Sequence, residues 1–377
     1  MKILFIGSLN SSFVTNLALE LSKKNIFPQI FDPDTLKLVD TAADKEETIF
    51  RVPKKIERNR LFSYVYKSRL ILKFLRTNQG RFDICHVHYI LSKFIFMTTR
   101  MKRFARKLVV SIYGSDFYRR NTFFKKRQGN LLKAADAIIV LHEGTKNDIE
   151  AYYGSDLREK IEILRFGLRP LEYIDKLSDE DIQKSKEALN IPSSSIVVTC
   201  GYAAFPEQQQ LKIIEIVENM IDDIPFSTFF LFPLTYGEES FKGQVIDRLK
   251  RSKLSYSIFQ DRMSEIDVAR LRRVTDILLN VQDTDQLSGS MLEHIYAGSL
   301  VITGKWLPYE ILSERGMVFS SIDTFEDLPL GLKNGFSALT DFQKNISKNK
   351  SVVSDLSRWD KNIVHWVGFY DEIYNEG

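Results

Sequence analysis

Residues 283–304 read DTDQLSGSMLEHIYAGSLVITG and follow directly on the apolar run DILLNV of residues 276–281. An apolar run, a short polar turn, a helical pattern and a second apolar run are the grammar of one βαβ unit. Ser290 stands three residues before Glu293, the spacing of a capping box that satisfies the orphan amides opening the helix MLEHIYA. Gly298 is placed to end that helix. The same turn carries a second reading. Ser288-Gly289-Ser290 at a helix start offers unpaired amides, the positive end of the helix dipole and close backbone approach, which together suit a diphosphate without a metal. Asp285 and Glu293, eight residues apart, then bracket the turn as acceptors for hydroxyl groups on either side of the phosphates.

Working outward, the same grammar repeats along the chain. In the first half MKILFIG, FPQIFD, FDICHVHYI, KLVVSIYG and DAIIVLH predict strands alternating with helical patterns, and two of the intervening helical stretches are basic. A charged segment, DKLSDEDIQKSKEALNIPSS, separates this half from a second run of SIVVTCGY, STFFLFPL, LSYSIFQ, DILLNV and SLVITG, again alternating with helices. At 377 residues the chain exceeds what one core organises. The expectation is therefore α/β with two Rossmann-like domains, parallel sheets facing an interdomain cleft where ligands usually sit. Boundaries are expected at 1–175 and 185–358, with 359–377 as a helix packing back on the first domain.

Composition excludes several classes. Hydrophobic residues make up 44% and aromatics 12%, too much for a disordered chain. Cys85 and Cys200 form no disulfide framework, and they point to a reducing cytoplasm. The opening MKILFIGS is too short for a signal peptide, and no window reaches the roughly 18 apolar residues of a spanning helix. The net charge of +4 conceals an asymmetry: residues 51–133 hold 22 Lys and Arg against three acids, so the remainder is net acidic by 15. In ILSKFIFMTTRMKRFARK the residues Lys93, Arg100, Arg103 and Lys107 predict one basic helix face, opposite Leu91, Phe94, Thr98, Met101 and Phe104. NRLFSYVYKSRLILKFLRTNQGR mixes aromatics and bases in the same way. Such a face suits an anionic membrane surface, each base near lipid contributing on the order of 1 kcal/mol. No nucleic-acid motif accompanies the charge, so nucleic acid is not expected as a partner.

Several strand ends offer candidate site residues, because parallel α/β sheets bind ligands at the carboxyl ends of their strands. Gly7 turns the chain after the first strand without a dinucleotide fingerprint. His86 and His88 share one strand face, as packed or cleft-edge histidines or, alternatively, as part of a zinc site. Tyr113 and Asp116 close the KLVVSIYG strand, where Asp116 is either a cap or an active carboxylate. Gly201, Tyr202, Thr235-Tyr236-Gly237 and Arg262 take corresponding places in the second half. Asp283-Thr284-Asp285 also has the D-x-D form by which many metal-dependent sugar transferases hold a nucleotide diphosphate through a divalent cation.

The carboxylate, seven residues, glutamate spacing of 285–293, followed by HIYAGSLVITG, resembles the E-x7-E signature of GT-B glycosyltransferases, family 4 in particular. The resemblance extends through EIDVARLRRVTDILLNV and LPYEIL, and loosely over the whole chain: the HVH strand, YGSD, ILRFGL and the aromatic helix WDKNIVHWVGFYDEIY. IYGSDFY and FPLTYGEESF are similar to segments of bacterial transferases that add 4-acetamido-4,6-dideoxygalactose to a lipid-linked antigen. The resemblance implies that Glu293 meets the nucleotide ribose, Asp285 the donor sugar, the backbone of Ser288, Gly289 and Ser290 the diphosphate, and that Arg262 lies near the base. Departures are visible. Asp285 stands for the first glutamate, Tyr202 and Gln208 stand roughly where family 4 enzymes carry an Arg and a Lys, and Tyr113 replaces a histidine. Lys305 is the candidate replacement cation.

The resulting expectation is a glycosyltransferase moving a sugar from a nucleotide diphosphate sugar to a glycan or lipid-linked acceptor in bacterial surface polysaccharide synthesis. It would act on the cytoplasmic, inner face of the cell membrane as a peripheral protein. Retention of configuration follows from the family 4 resemblance alone. Asp116 and Asp285 are the catalytic candidates; Gly7, His88 and Tyr113 are the acceptor candidates. Neither a cofactor nor a required metal is expected. The alternatives are a GT-B-fold sugar-nucleotide epimerase, a catalytically silent glycan- or membrane-binding protein, and a DNA-modifying glycosyltransferase.

Overall fold

A computed structural model describes residues 1–92, 94–285 and 287–376, leaving out also the side chain of Arg60. It divides into two compact units, Met1–Gly167 with Trp359–Gly377, and Leu168–Arg358.

The first unit holds eight strands: β1 Ile3–Ile6, β2 Gln29–Asp32, β3 Lys37–Asp40, β4 Lys45–Thr48, β5 Phe82–His88, β6 Ala105–Ser111, β7 Ala137–Val140 and β8 Ile161–Ile163. They form one sheet in the order β4-β3-β2-β1-β5-β6-β7-β8. All pairs are parallel except β2 with β3 and β3 with β4. The apolar strands are buried on both faces because successive side chains point to opposite sides and helices cover each side. Thus Leu4 and Ile6 enter one core with Phe31, Val87 and Leu108. Ile3 and Phe5 enter another with Leu17, Leu21, Trp366 and Tyr370. The helix Trp359–Asn375 joins this unit because Trp359, Ile363, Trp366 and Tyr370 fall on one face at spacings of four, three and four, and all four are buried.

The second unit contains β9 Ile196–Cys200, β10 Thr228–Pro233, β11 Tyr256–Phe259, β12 Ile277–Asn280, β13 Leu300–Gly304 and β14 Ser320–Ile322. Its order is β11-β10-β9-β12-β13-β14, wholly parallel. The unit starts ahead of the charged segment: the helix Pro170–Ile174 buries Leu171 and Ile174 beside Met291, Leu292 and Ile295. Each fully buried Leu or Ile of this kind contributes about 1.5–3 kcal/mol.

The fold differs from the sequence expectation at two places in the first unit. The basic stretch 90–107 is not one helix. It forms a 3-10 turn Phe94–Phe96 and a five-residue helix Thr98–Lys102, then becomes β6. The reason is register: Ala105 must pair with Phe82 for β6 to lie along the whole of β5, which leaves too little chain for a long helix. Phe94, Met101 and Phe104 still turn inward, but Arg100, Arg103 and Lys107 share no helix face; Lys93 lies outside the described residues. The second difference is the antiparallel hairpin β3–β4, which stands where only a basic helical stretch is expected after β2. By contrast Arg60–Thr77 is the expected helix, its first amides accepted by the Asn59 side chain.

Candidate functional site

Each sheet reverses its winding once, between β1 and β5 in the first unit and between β9 and β12 in the second. Crevices outside the carboxyl ends of the strands at such switch points are where doubly wound sheets hold ligands.

In the second unit the chain leaves β9 through Gly201 at φ +67. A β-carbon there would stand 2.7 Å from Gln208 Oε1 and 3.0 Å from Gln210 Nε2, so glycine is required both by conformation and by space. Gln208 folds over this turn. Its Oε1 accepts from the Tyr202 amide at 3.1 Å, and its Nε2 donates to Gln282 Oε1 at 2.5 Å. The Tyr202 hydroxyl donates to the same Gln282 oxygen at 3.2 Å. Gln282 Nε2 in turn donates to Asp285 Oδ2 at 2.6 Å, and the Tyr309 hydroxyl donates to that oxygen as well. Asn280 Nδ2 supports Tyr309 at 3.1 Å, and the Trp306 indole N–H donates to the Gln282 carbonyl at 2.8 Å. Tyr202 and Gln208 thus belong to an amide and phenol network that leads to one carboxylate.

The helix Gly289–Ala297 starts beside that carboxylate. Its N-cap is Ser288, whose hydroxyl accepts from the Met291 amide at 3.2 Å. This corrects the expected capping box. Ser290 is buried with no hydrogen-bond partner for its Oγ among the described residues. Glu293 faces away from the cap because Arg272, buried on the helix Glu265–Val274, donates to its Oε2 from Nε at 3.0 Å and pairs with it through Nη2 at 3.0 Å. The third arm of Arg272 reaches His294 Nε2 at 3.0 Å. Burial raises the Glu293 carboxyl while Arg272 opposes the rise, and burial and then Arg272 hold His294 well below its ordinary value, hence neutral. Gly298 ends the helix at φ +102, as expected.

Two candidate cations sit differently. Burial pushes the Tyr236 hydroxyl up to about 12, with Glu293 and Asp285 adding to the rise and Arg272 and Arg262 opposing it. Lys305 instead forms an exposed ion pair with Asp323 at 2.6 Å. An exposed pair of that kind is worth little, roughly 0–1 kcal/mol, so it leaves the lysine easily recruited. Among the described residues no group of three or more His, Cys, Asp and Glu has the arrangement to hold a metal ion.

At the switch point of the first unit, a β-carbon on Gly7 would lie 2.9 Å from Val14 Cγ2 and 3.1 Å from His88 Cβ. His88 Nδ1 is 2.7 Å from the Tyr113 hydroxyl, while its buried Nε2 has no partner among the described residues. His86 is used at both nitrogens, by Tyr370 at 2.6 Å and Ser111 at 2.7 Å, so it has no lone pair to offer a metal. Burial pushes His88 down to about 3, leaving it neutral. Asp116 is fully buried. Its Oδ1 accepts from the amides of Tyr113 (2.9 Å) and Gly114 (3.0 Å), and its Oδ2 from that of Ile90 (2.9 Å). Burial raises it to about 6 against those three bonds. The carboxylate ties the turn after β6 to the turn after β5.

The residues missed at the sequence level are Gln282, Tyr309, Trp306, Asn280 and Arg272. Asn280, Gln282, Trp306 and Tyr309 flank the opening stretch closely and Arg272 precedes it by eleven residues, but amides, aromatics and a charged helix read as ordinary loop, core and surface.

Residues 11–168 match Glycosyltransferase Family 4. No protein of curated function matches the sequence. Among solved structures, a glycosyltransferase from Rickettsia africae aligns over 100% of this chain and 99% of its own, with 18% identity and a TM-score of 0.73. Anabaena Alr3699/HepE in complex with UDP and glucose aligns over 99% and 100%, with 13% identity and a TM-score of 0.72. WaaG, a glycosyltransferase involved in lipopolysaccharide biosynthesis, aligns over 100% of both chains, with 13% identity and a TM-score of 0.67. At these identities the likeness is one of fold, and the fold is GT-B. Together with the family 4 match over the first unit, it defines the class: a glycosyltransferase of the GT-B type, hence a transferase enzyme.

Proposed function

We propose that the protein moves a sugar from a nucleoside diphosphate sugar to a glycan or lipid-linked acceptor in the synthesis of a bacterial surface polysaccharide. The observation that carries this reading is the start of the helix Gly289–Ala297 at the second switch point, with the unpartnered Ser290 Oγ buried at its mouth, Asp285 held by Gln282 just before the cap and Glu293 held by Arg272 within the helix. HepE, with UDP and glucose bound, and WaaG, which acts in lipopolysaccharide biosynthesis, support the choice of donor and product class.

In this reading the amides of Ser288, Gly289 and Ser290 receive the diphosphate, and Ser290 Oγ donates to it. The bond between the anomeric carbon and the diphosphate oxygen breaks, and its electron pair leaves with the diphosphate. The acceptor oxygen bonds to that carbon as its proton departs. Charge collects on the leaving group, where the helix dipole and the amides stabilise it without reorganising. Asp285 accepts hydroxyls of the donor sugar, fixed for that task by Gln282 and Tyr309. Glu293 accepts the ribose hydroxyls with Arg272 holding its carboxylate, and Arg262 lies beside the base. Gly7, His88 and Tyr113 line the acceptor side. Transfer retains the anomeric configuration and needs no metal, and the sugar moved is of the 4-acetamido-4,6-dideoxygalactose kind.

The reading also places the enzyme peripherally on the inner membrane face. No helix among the described residues is long and apolar enough to cross a membrane. The helix Arg60–Thr77 exposes Leu61, Phe62, Tyr64 and Val65 among Arg58, Lys67 and Arg69. Phe96 and Phe123 are likewise exposed, with the Arg127 guanidinium 5.2 and 5.6 Å from their ring centres. Aromatic and basic groups presented together are what an anionic interface binds.

The deciding experiment is turnover of a nucleotide-sugar panel by wild type and Asp285→Asn. The variant keeps the size of the side chain, and a loss of about 10²–10³ in kcat is expected for removing one preorganised charge from the reacting centre, with nucleotide affinity little changed. Unchanged turnover would sink the site assignment. Loss of turnover on adding EDTA would return Asp283 and Asp285 to a metal-binding role.

A further inference from the structure

We infer that Tyr89 and Arg120 form a phosphate-recognising subsite in the first unit, so that the acceptor presents a phosphoryl group there. This rests on the reading above that the first unit receives the acceptor.

Tyr89, the residue after β5, stands at φ +67, a left-handed conformation that is strained for a residue with a β-carbon. That turn throws its ring over the carboxyl ends of β5 and β6, 6.4 Å from the ring of Tyr113, which in turn holds His88. The Tyr89 hydroxyl receives Arg120 Nη2 at 3.2 Å and Ser115 Oγ at 3.3 Å. The Arg120 guanidinium is stacked 4.8 Å from the Phe124 ring centre and 5.8 Å from that of Tyr89. Its Nε is buried with no hydrogen-bond partner, and no carboxylate among the described residues pairs with it. The nearest acid in sequence, Asp116, spends both oxygens on backbone amides.

A guanidinium fixed by two rings and a hydroxyl, half-buried and without a counter-ion, is a preorganised receptor for a planar fork of oxygens. Phosphoryl oxygens accept such a fork, and the Tyr89 hydroxyl, which accepts from both Arg120 and Ser115, keeps its own proton as one more donor. A solvated surface arginine needs none of this: neither a strained tyrosine nor a buried, unsatisfied Nε. The phosphate has two possible sources, a soluble phosphomonoester or a lipid headgroup, and both present the same oxygens.

The test uses the full chain and two probes, glycerol 1-phosphate and phosphatidylcholine vesicles carrying phosphatidate. Wild type is expected to bind one of them, and Arg120→Gln to weaken that binding at least tenfold. Binding of glycerol 1-phosphate identifies the soluble source; binding of the vesicles alone identifies the lipid. Arg120→Lys keeps the charge without the fork and Tyr89→Phe removes the hydroxyl that aims it, so each is expected to lose about three- to tenfold; these two carry the test if Arg120→Gln fails to fold. The proposal is overturned if wild type binds neither probe, or if the variants bind as wild type does. A UDP-induced thermal shift is recorded in parallel. Its absence from wild type would overturn the donor reading while leaving the phosphate result to stand on its own.

Discussion

The two switch points use the same backbone device for opposite chemistry. After β1 and β5 the strand ends meet through buried rings: His86 is held by Tyr370 and Ser111, His88 by Tyr113 at one nitrogen, and the carboxylate of Asp116 is consumed by backbone amides. After β9 and β12 the strand ends meet through Gln208, Gln282, Asp285 and Tyr309, a hydrogen-bonded row that ends in a half-exposed carboxylate beside a helix start. The first arrangement stores shape, and the second presents polarity. Carboxylates show the contrast best. In the first unit the acid is structural and turned inward; in the second, Asp285 is held in place yet presented, and Glu293 is held by an arginine of its own.

The Arg272–Glu293 pair tests that contrast hardest, because both partners are buried. Removing one charge leaves the other buried without a counter-ion, a loss of about 3–5 kcal/mol. Arg272→Met is therefore expected to lower unfolding stability by that order, while the double variant Arg272→Met, Glu293→Gln recovers much of it because no lone charge remains. Denaturant titrations of the four proteins measure the coupling. Additive single effects would mean that the pair is not a unit, and that Glu293 is positioned by something else.

How much of this was readable in the residues alone follows from where the determinants lie. In the second sheet β9, β10, β12 and β13 stand out because each is an apolar run bounded by turn residues, and β11 is legible although only half-buried; β14, with two serines in three residues, was not legible. The hairpin β3–β4 was not legible: β4, Lys45–Thr48, is a fully exposed run of charge and threonine with no alternation to betray a strand. The stretch 90–107 misled for the reverse reason. Its apolar positions carry a helical period, yet tertiary register with β5 overrides it. At the site, Asp285, Ser288, Ser290 and Glu293 are neighbours in sequence and were legible together. Tyr309 reaches Asp285 from 24 residues away and Tyr202 reaches Gln282 from 80, distances at which no spacing rule operates. Arg272 sits in a run of charged residues that reads as a solvated face, and only burial shows otherwise.

Asp116 gives the next largest effect and a defined pH signature. Its folded value of about 6 lies above the 3.8 of the free group, so between those values the folded protein holds more protons than the unfolded one. The group's contribution then falls as pH rises through that window, by on the order of 2–3 kcal/mol, and is level above about pH 6. Asp116→Asn lacks this slope. It also loses an acceptor for one of the three amides, a cost of about 1–3 kcal/mol at every pH. Stability of wild type and variant measured from pH 4 to 7 should therefore differ most at the acid end. A difference that stays constant across the range would mean that the carboxylate is not desolvated as the fold implies. Sugar transfer by Asp116→Asn, read in the same samples, should fall only as far as the acceptor turns loosen; complete loss without unfolding would support a catalytic role.

The smallest and most discriminating comparison sets the two turn glycines against each other. Gly201→Ala places a β-carbon at φ +67, strained on the order of 1–3 kcal/mol, and 2.7 Å from Gln208 Oε1. The obstructing atom is the end of a flexible side chain, so the backbone holds while Gln208 swings away, releasing the Tyr202 amide and Gln282. Gly7→Ala meets Val14 Cγ2 at 2.9 Å and His88 Cβ at 3.1 Å, atoms fixed near the backbone, and Gly7 has no positive φ to strain. The first variant is expected to lose nucleotide-sugar affinity severalfold with modest loss of stability. The second is expected to leave nucleotide affinity intact and to weaken acceptor use, because His88 cannot withdraw without dragging Tyr113. If both glycine variants shifted the same kinetic constant by the same factor, the division of donor and acceptor between the two switch points would be wrong, since each substitution perturbs one network and leaves the other untouched.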